Sequence, residues 1–463
     1  MAPRRRCRGR RAPTVARMRI HLLSLTLIAA ACAPAEAATG WQPCAENAAT
    51  ECSTVTVPVD WAEPGGDRLD MAVARHPATG ERRGTVVYLP AGPGSSGVDA
   101  VTDERILELL LPKEIVEHYD VVSFDPRGVR RSSPVVCDAE LVATLNRPEP
   151  RDQAEFDALL TAQAALGADC RARTGPVFDH LDSTQVARDV DALRHALGED
   201  ELNLYALSYG TVVGQMYAER FPGRIRTMVL DAVFDHSVGS DRFAVAGARA
   251  GQESFDRFVD WCDNDPACAL HGTDIRARVA ALFDRTTDPG ALTSRIVQPL
   301  TQPNLPAVAE VIANPESTPA AQDSAGTTPL PIFLQCADNR NDLRSYADVA
   351  RLAARTRAVA PDLRTSAFDL AFLCVNPPVP ATNPQRPLHA PDAPPVLVMN
   401  ARVDAATPHE GARHVAAQLP GAVLVTWEGM GHGAATRTAC TREHVVRYVT
   451  DTTLPRPGTH CPA

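Results

Sequence analysis

The stretch Leu202 to Gly214, reading Leu-Asn-Leu-Tyr-Ala-Leu-Ser-Tyr-Gly-Thr-Val-Val-Gly, holds the residue best suited to covalent chemistry. An apolar run fit for a buried parallel strand meets Ser208 at a turn and passes into a small-residue helix, the layout of a nucleophile elbow. Strand and helix backbones approach closely at such a turn, so small residues must flank the serine; Gly210 supplies one, and Ala206 stands where the usual pattern has glycine. A serine hydroxyl is a poor nucleophile until a base takes its proton, and the base needs an acid to hold its tautomer. Arg402-Val-Asp404 follows one downstream apolar run and Gly429-Met-Gly-His432-Gly433 follows the next, giving the chain order Ser208, Asp404, His432. Asp231, at the end of the strand after the elbow, is a rival acid that could reach the same imidazole. Each residue alone has a plainer reading: a buried serine in a turn, a capping aspartate, a structural histidine. The agreement of three strand-end positions is what points to acyl transfer.

A second loop supplies what that chemistry needs next. Pro90-Ala-Gly-Pro-Gly-Ser-Ser-Gly97 directly follows an apolar strand, and such a glycine-rich loop turns backbone N–H groups outward. It lacks the lysine of a phosphate loop, which favours a developing oxyanion as its ligand over a plain tight turn. The donors would be the N–H of Tyr209 and one from Gly92, Gly94 or Ser95. No cofactor is implied. Zinc is disfavoured because no C-x-x-C pair with a matching histidine cluster occurs.

The elements that must position these groups are legible as runs of two kinds. Thr85 to Leu89, Tyr119 to Asp125, Thr227 to Asp231, Pro395 to Asn400 and Ala422 to Trp427 read as buried strands. Thr184 to Leu197 has Val186, Val190, Leu193 and Leu197 at helical spacing, with Ser183 or Thr184 as cap and Gly198 as stop. Cys44 to Val59 reads as an exposed start, and Arg127 as a brace for the loop after Asp125. From about Phe234 the character changes: helical stretches Gly251 to Trp261 and Tyr346 to Val359 enclose a proline-rich, irregular middle from Pro299 to Pro331. The predicted organisation is a signal over 1–37, a core over 38–233, an inserted and mainly helical cap over 234–388, and the rest of the core over 389–463.

Composition bounds the partners. The first 37 residues hold eight arginines and one acidic residue, an apolar stretch from Ile20 to Ala31 and the triplet Ala35-Glu36-Ala37, the pattern of an export signal. Met18 is an alternative start within it, and Cys32 a rival attachment point for a lipid anchor. The apolar stretch is too short for a stable membrane span. Without that segment 38 basic side chains face 55 acidic ones, a net charge of −17, which disfavours nucleic acid and anionic membranes. Lys113 is the one lysine in the chain and alanine and proline abound, the mark of a GC-rich bacterial genome. Ten cysteines remain, and an even count in an exported chain argues for disulfides. Short loops close at least entropic cost, so sequential pairs are predicted: 44 with 52, 137 with 170, 262 with 268, 336 with 374, and 440 with 461.

With these residues in view, the chain resembles secreted α/β-hydrolase serine exopeptidases of the tripeptidyl aminopeptidase type, relatives of prolyl aminopeptidase. The resemblance runs through Gly92-Pro-Gly-Ser-Ser-Gly97, Phe124-Asp-Pro-Arg-Gly128, Leu207-Ser-Tyr-Gly210, Gln335-Cys-Ala-Asp338, Gly431-His-Gly433 and Leu454-Pro-Arg-Pro-Gly-Thr-His-Cys461. It implies an α/β-hydrolase fold, with a mostly parallel sheet, helices on both faces and an inserted cap that shapes a pocket for the amino end of a peptide. Two departures, Ala206 and Arg130, both stand where the family has glycine. An exopeptidase must hold a free α-amino group, and Asp235, Asp241 and Asp338 are the candidate carboxylates in the cap and its junction. The same fold also carries esterases, so a carboxylesterase acting on a small ester is the competing reading, and a catalytically silent surface-binding protein is a third.

Overall fold

A computed structural model describes residues 40–144, 149–315, 327–329, 333–366, 374–376 and 379–463. The expected export signal, Met18, Cys32 and part of the irregular middle lie outside these residues.

Twelve strands occur among the described residues: β1 Gln42–Pro43, β2 Glu51–Pro58, β3 Arg68–His76, β4 Gly84–Leu89, β5 Tyr119–Phe124, β6 Val136–Asp138, β7 Leu202–Leu207, β8 Ile225–Asp231, β9 Thr327–Pro329, β10 Leu397–Val403, β11 Val423–Met430 and β12 His460–Cys461. Ten of them form one sheet in the order β1-β2-β3-β5-β4-β7-β8-β10-β11-β12, and β6 pairs with β9 apart from it. The pairings from β5 through β4, β7, β8, β10 and β11 to β12 are parallel, and β1 to β3 form an antiparallel edge. The central strands read as continuous apolar runs because both faces of the sheet are covered. Val87, Leu89, Leu204 and Ala206 pack on one side with Val186, Val190, Leu193 and Met216 from helices. Val86, Tyr88, Tyr205 and Val229 pack on the other with Val98, Ile115, Val445 and Tyr448.

Several expectations change in detail. Cys44 to Val59 is not an exposed start: Val55, Val57 and Val59 are buried, alternating along and just beyond β2 toward the core. The helix before β7 spans Ser183–Leu197, and its cap is Asp182, whose carboxylate accepts from Thr184 and Gln185 N–H. Gly198 ends it in the left-handed region, φ 72°, as a C-terminal glycine does. The helix expected over Gly251 to Trp261 is longer, Ser240–Asn264, while Tyr346–Val359 is as expected. Among the described residues of the proline-rich middle, Leu305–Ala313 form a helix. All five sequential disulfides are present. No helix among the described residues is long and apolar enough to cross a membrane.

Arg127 is fully buried. Its guanidinium forks onto both oxygens of Asp189 at 2.7 Å each and donates to the carbonyls of Pro58, Val59 and His180. It thereby joins the loop after β5 to the end of β2 and to helix Ser183–Leu197. Removing one partner of a buried pair strands the other charge. Arg127→Ala is accordingly expected to cost about 3–5 kcal/mol of stability, read as an earlier denaturant midpoint. An unchanged midpoint would mean that the pair carries no net stability.

Candidate active site

Ser208 sits between β7 and helix Gly210–Arg220 with φ 57°, a left-handed conformation that costs a non-glycine residue roughly 1–2 kcal/mol. The surroundings hold it there. Its N–H donates to Asp231 O at 3.0 Å, and its carbonyl accepts the Thr211 N–H at 2.9 Å and the Thr211 hydroxyl at 2.5 Å. A side chain at Gly210 would meet Leu89 O at 2.3 Å and Pro90 O at 2.7 Å, so the helix start rests directly on the end of β4. Ala206 is tolerated for the converse reason: its methyl is fully buried and faces Gly214, which leaves it room. Arg130 is likewise left-handed, φ 44°, which explains glycine at that place in the family pattern; its side chain reaches Asp99 at 3.4 Å.

The backbone donors expected around the elbow are free. Among the described residues the N–H groups of Tyr209, Gly92, Gly94 and Ser95 have no acceptor. A side chain on Gly92 would fall 2.6 Å from Gly94 N and 2.8 Å from Ser95 N, covering those donors. The loop is anchored where it ends. Ser96 caps helix Gly97–Thr102 and donates to Asp125, which also accepts the Arg131 N–H and guanidinium.

The acid and the histidine meet. His432 Nδ1 lies 2.8 Å from Asp404 Oδ2. Asp404 is buried and also accepts Ala406 and Thr407 N–H at 2.9 and 3.0 Å and the Thr407 hydroxyl at 2.9 Å. Thr407, in Asp404-Ala-Ala-Thr407, is a residue that the sequence reading passed over; a hydroxyl three residues after a strand-end acid is the available clue. The rival Asp231 is bonded elsewhere: its carboxylate accepts Ala434 N–H, Ala435 N–H and the Tyr205 hydroxyl, and so pins the loop that follows His432. Burial alone would lower the His432 pKa, but the charge and hydrogen bond of Asp404, with the Asp231 charge behind, outweigh it and hold the imidazole above its ordinary value. Among the described residues Ser208 Oγ and His432 Nε2 make no hydrogen bond to each other. Both remain reachable, with Ser208 9% exposed and the His432 side chain 17%.

Residues between β8 and β10 touch these loops. His432 N–H donates to Thr301 O at 2.7 Å, and Gly431 faces Pro303. Ala405, next to the acid, and Met430 belong to the apolar cluster of Phe255, Phe258 and Val297.

The three candidate amine partners differ. Asp241 is exposed and paired with Arg355 at 2.6 Å. Asp338 is fully buried and accepts from Ser183, Asn383 and Tyr209. Asp235 is buried against His414 Nδ1 at 2.7 Å and Ser237, and it lines a cavity of about 110 Å³ with Val238, Phe243 and Glu410.

Comparison with known proteins agrees with this architecture. The α/β hydrolase fold model matches residues 84–281, and the TAP-like protein model matches 362–461. Serine protease Hip1 of Mycobacterium tuberculosis is 30% identical over 91% of this chain and 90% of its own. Carboxylesterase B of the same species is 33% identical over 91% and 89%, and tripeptidyl aminopeptidase of Streptomyces lividans 29% over 91% and 86%. With the parallel sheet, the elbow and the strand-end loops in place, this chain belongs to the α/β-hydrolase family, as an enzyme with the TAP-like C-terminal region.

Proposed function

We propose that this serine hydrolase cleaves short peptides from a free amino terminus. The observation that carries the reading is the Asp404–His432 hydrogen bond beside a serine held in a left-handed elbow. Ser208 Oγ attacks the substrate carbonyl as His432 Nε2 takes its proton, and the oxyanion rests on the N–H of Tyr209 and one from Gly92, Gly94 or Ser95. His432 then returns the proton to the leaving amine, and water releases the acyl group by the same steps. Asp404 orients the imidazole and stabilises its charge. Five disulfides and the basic, apolar leader fit an exported protein in an oxidising compartment.

Asp235 is the carboxylate best placed for a substrate ammonium. It lines a cavity at the junction of core and cap, where a substrate ammonium would share its oxygens with His414 and Ser237, whereas Asp338 is enclosed by Ser183, Asn383 and Tyr209 and Asp241 faces solvent. A cation entering a partly dry pocket needs such a partner, or it loses hydration without return. Acetylating the amino terminus of one peptide substrate is expected to cost roughly 2–4 kcal/mol in transition-state binding, thirtyfold to a thousandfold in kcat/KM. The pair is compared at a pH where the amine is charged. Equal rates would remove the aminopeptidase reading and favour the carboxylesterase, to which the relative named carboxylesterase B lends support.

A further inference from the structure

Tyr209 carries the peptide N–H next to the nucleophile, and its side chain does something else. The phenol runs away from the elbow into a buried polar cluster, where it donates to Asp338 Oδ2 and lies 3.2 Å from Leu334 O. Asp338 is fully buried. Its Oδ1 accepts the Ser183 N–H at 3.1 Å, the Ser183 hydroxyl at 2.9 Å and Asn383 Nδ2 at 2.7 Å. The carboxylate therefore sits at the first turn of helix Ser183–Leu197 and takes its Ser183 N–H; burial raises its pKa, while His236 and the hydrogen bonds from Tyr209 and Asn383 pull the other way. Its own carbonyl accepts His236 Nε2 at 2.8 Å, and Asn383 N–H donates to Ala337 O at 3.0 Å. Helix Phe333–Asp338 carries it, and the Cys336–Cys374 disulfide ties that helix down.

We propose that Asp338 is a positioning residue for catalysis: through the phenol of Tyr209 it fixes the peptide N–H that receives the oxyanion. The inference rests on the reading of Ser208 as nucleophile. Its physical basis is that an oxyanion donor works only when its direction is set before the reaction, and a displacement of about 1 Å at such a group costs on the order of a hundredfold. Tyr209 meets Phe234 edge-on at 6.4 Å, an arrangement that fixes the ring's plane less firmly than a hydrogen bond to a charged acceptor fixes its tip. Burial, with the Asp338 charge behind it, holds the Tyr209 phenol well above its ordinary pKa, so it stays a donor across the working range. The bond also explains why a segment far along the chain bears on the elbow: Asp338 comes from the inserted region, and that region must be seated for Tyr209 to be anchored.

The test compares wild type, Tyr209→Phe and Asp338→Asn, with Arg127→Ala as a destabilised control. All are normalised by fluorophosphonate titration of the active serine. Two probes are used: a tripeptide with a chromogenic amide leaving group, and the matching peptidyl trifluoromethyl ketone, whose adduct carries the oxyanion. Tyr209→Phe is expected to lower kcat about tenfold to a hundredfold with KM within twofold, and to weaken the ketone by the same factor. Asp338→Asn should follow in the same direction, and the double variant should add no further loss in kcat, since both act through one bond. Arg127→Ala should lose stability while keeping wild-type kcat per titrated site. Unchanged kcat in Tyr209→Phe, or a loss of kcat without weaker ketone binding, overturns the inference; should Tyr209→Phe not fold, the Asp338→Asn result decides by the same criteria. Failure of the fluorophosphonate to label Ser208 in the wild type would instead bring down the nucleophile reading, and this inference with it.

Discussion

Ser208→Ala is expected to fold like the wild type and to lose turnover by on the order of a millionfold. The fold is indifferent to the change because the Ser208 hydroxyl makes no hydrogen bond among the described residues, while the bonds holding the turn run through its backbone N–H and carbonyl. Alanine keeps those and removes only the attacking oxygen. The measurement is kcat on a chromogenic peptide amide, with circular dichroism as the folding check. Retention of more than about a tenth of wild-type turnover rules out Ser208 as the nucleophile.

Asp404→Asn is expected to lower kcat by about 10⁴, because an amide at this position favours the wrong imidazole tautomer and carries no charge to stabilise the imidazolium. Asp231→Asn should cost activity far less and stability more, since its carboxylate accepts the Ala434 and Ala435 N–H groups and the Tyr205 hydroxyl. The pH profile separates the two. A base must be neutral to accept the serine proton, so kcat/KM rises with pH through the His432 pKa. Burial pulls that pKa down, but Asp404 outweighs it, so the acid limb of the wild type lies above the ordinary imidazole value. Removing the Asp404 charge leaves burial unopposed by its main partner and moves the limb to lower pH. The Asp231 charge is a smaller contributor, so Asp231→Asn moves the limb less in the same direction. The reverse ranking would reassign the acid to Asp231.

The structure also separates what was legible from what was not. The central strands could be read because a parallel strand covered on both faces is one unbroken apolar run, as in Leu202–Leu207 and Leu397–Val403. Helix Gln153–Thr174 left no such mark. It is rich in alanine and carries Phe156, Leu166 and Cys170 without a continuous apolar stripe, so its place was not expected. Cys44 to Val59 did hold a signal, the alternation Val55, Val57, Val59, which identifies an antiparallel strand with one face buried. Asp182 took the capping role expected of its neighbours, an ambiguity of one residue that only the backbone angles resolve.

By itself the sequence determined the types and the order of the groups around the elbow: Ser208 after one strand, Asp404 and His432 after two later ones, and glycines where a backbone must come close. These are local facts, written in runs of a few residues each. Tertiary structure decided the partners. Asp404 and Asp231 both stand at strand ends, and nothing in their neighbourhoods says which one meets His432 Nδ1 and which one holds Ala434 and Ala435. Asp338 could be read as a pocket carboxylate until Ser183, 155 residues earlier, and Tyr209, 129 residues earlier, were found to fill its oxygens. A buried carboxylate takes whichever donors the packed elements bring to it, because leaving it unpaired costs more than any local preference; that selection is made across the whole fold and not along the chain.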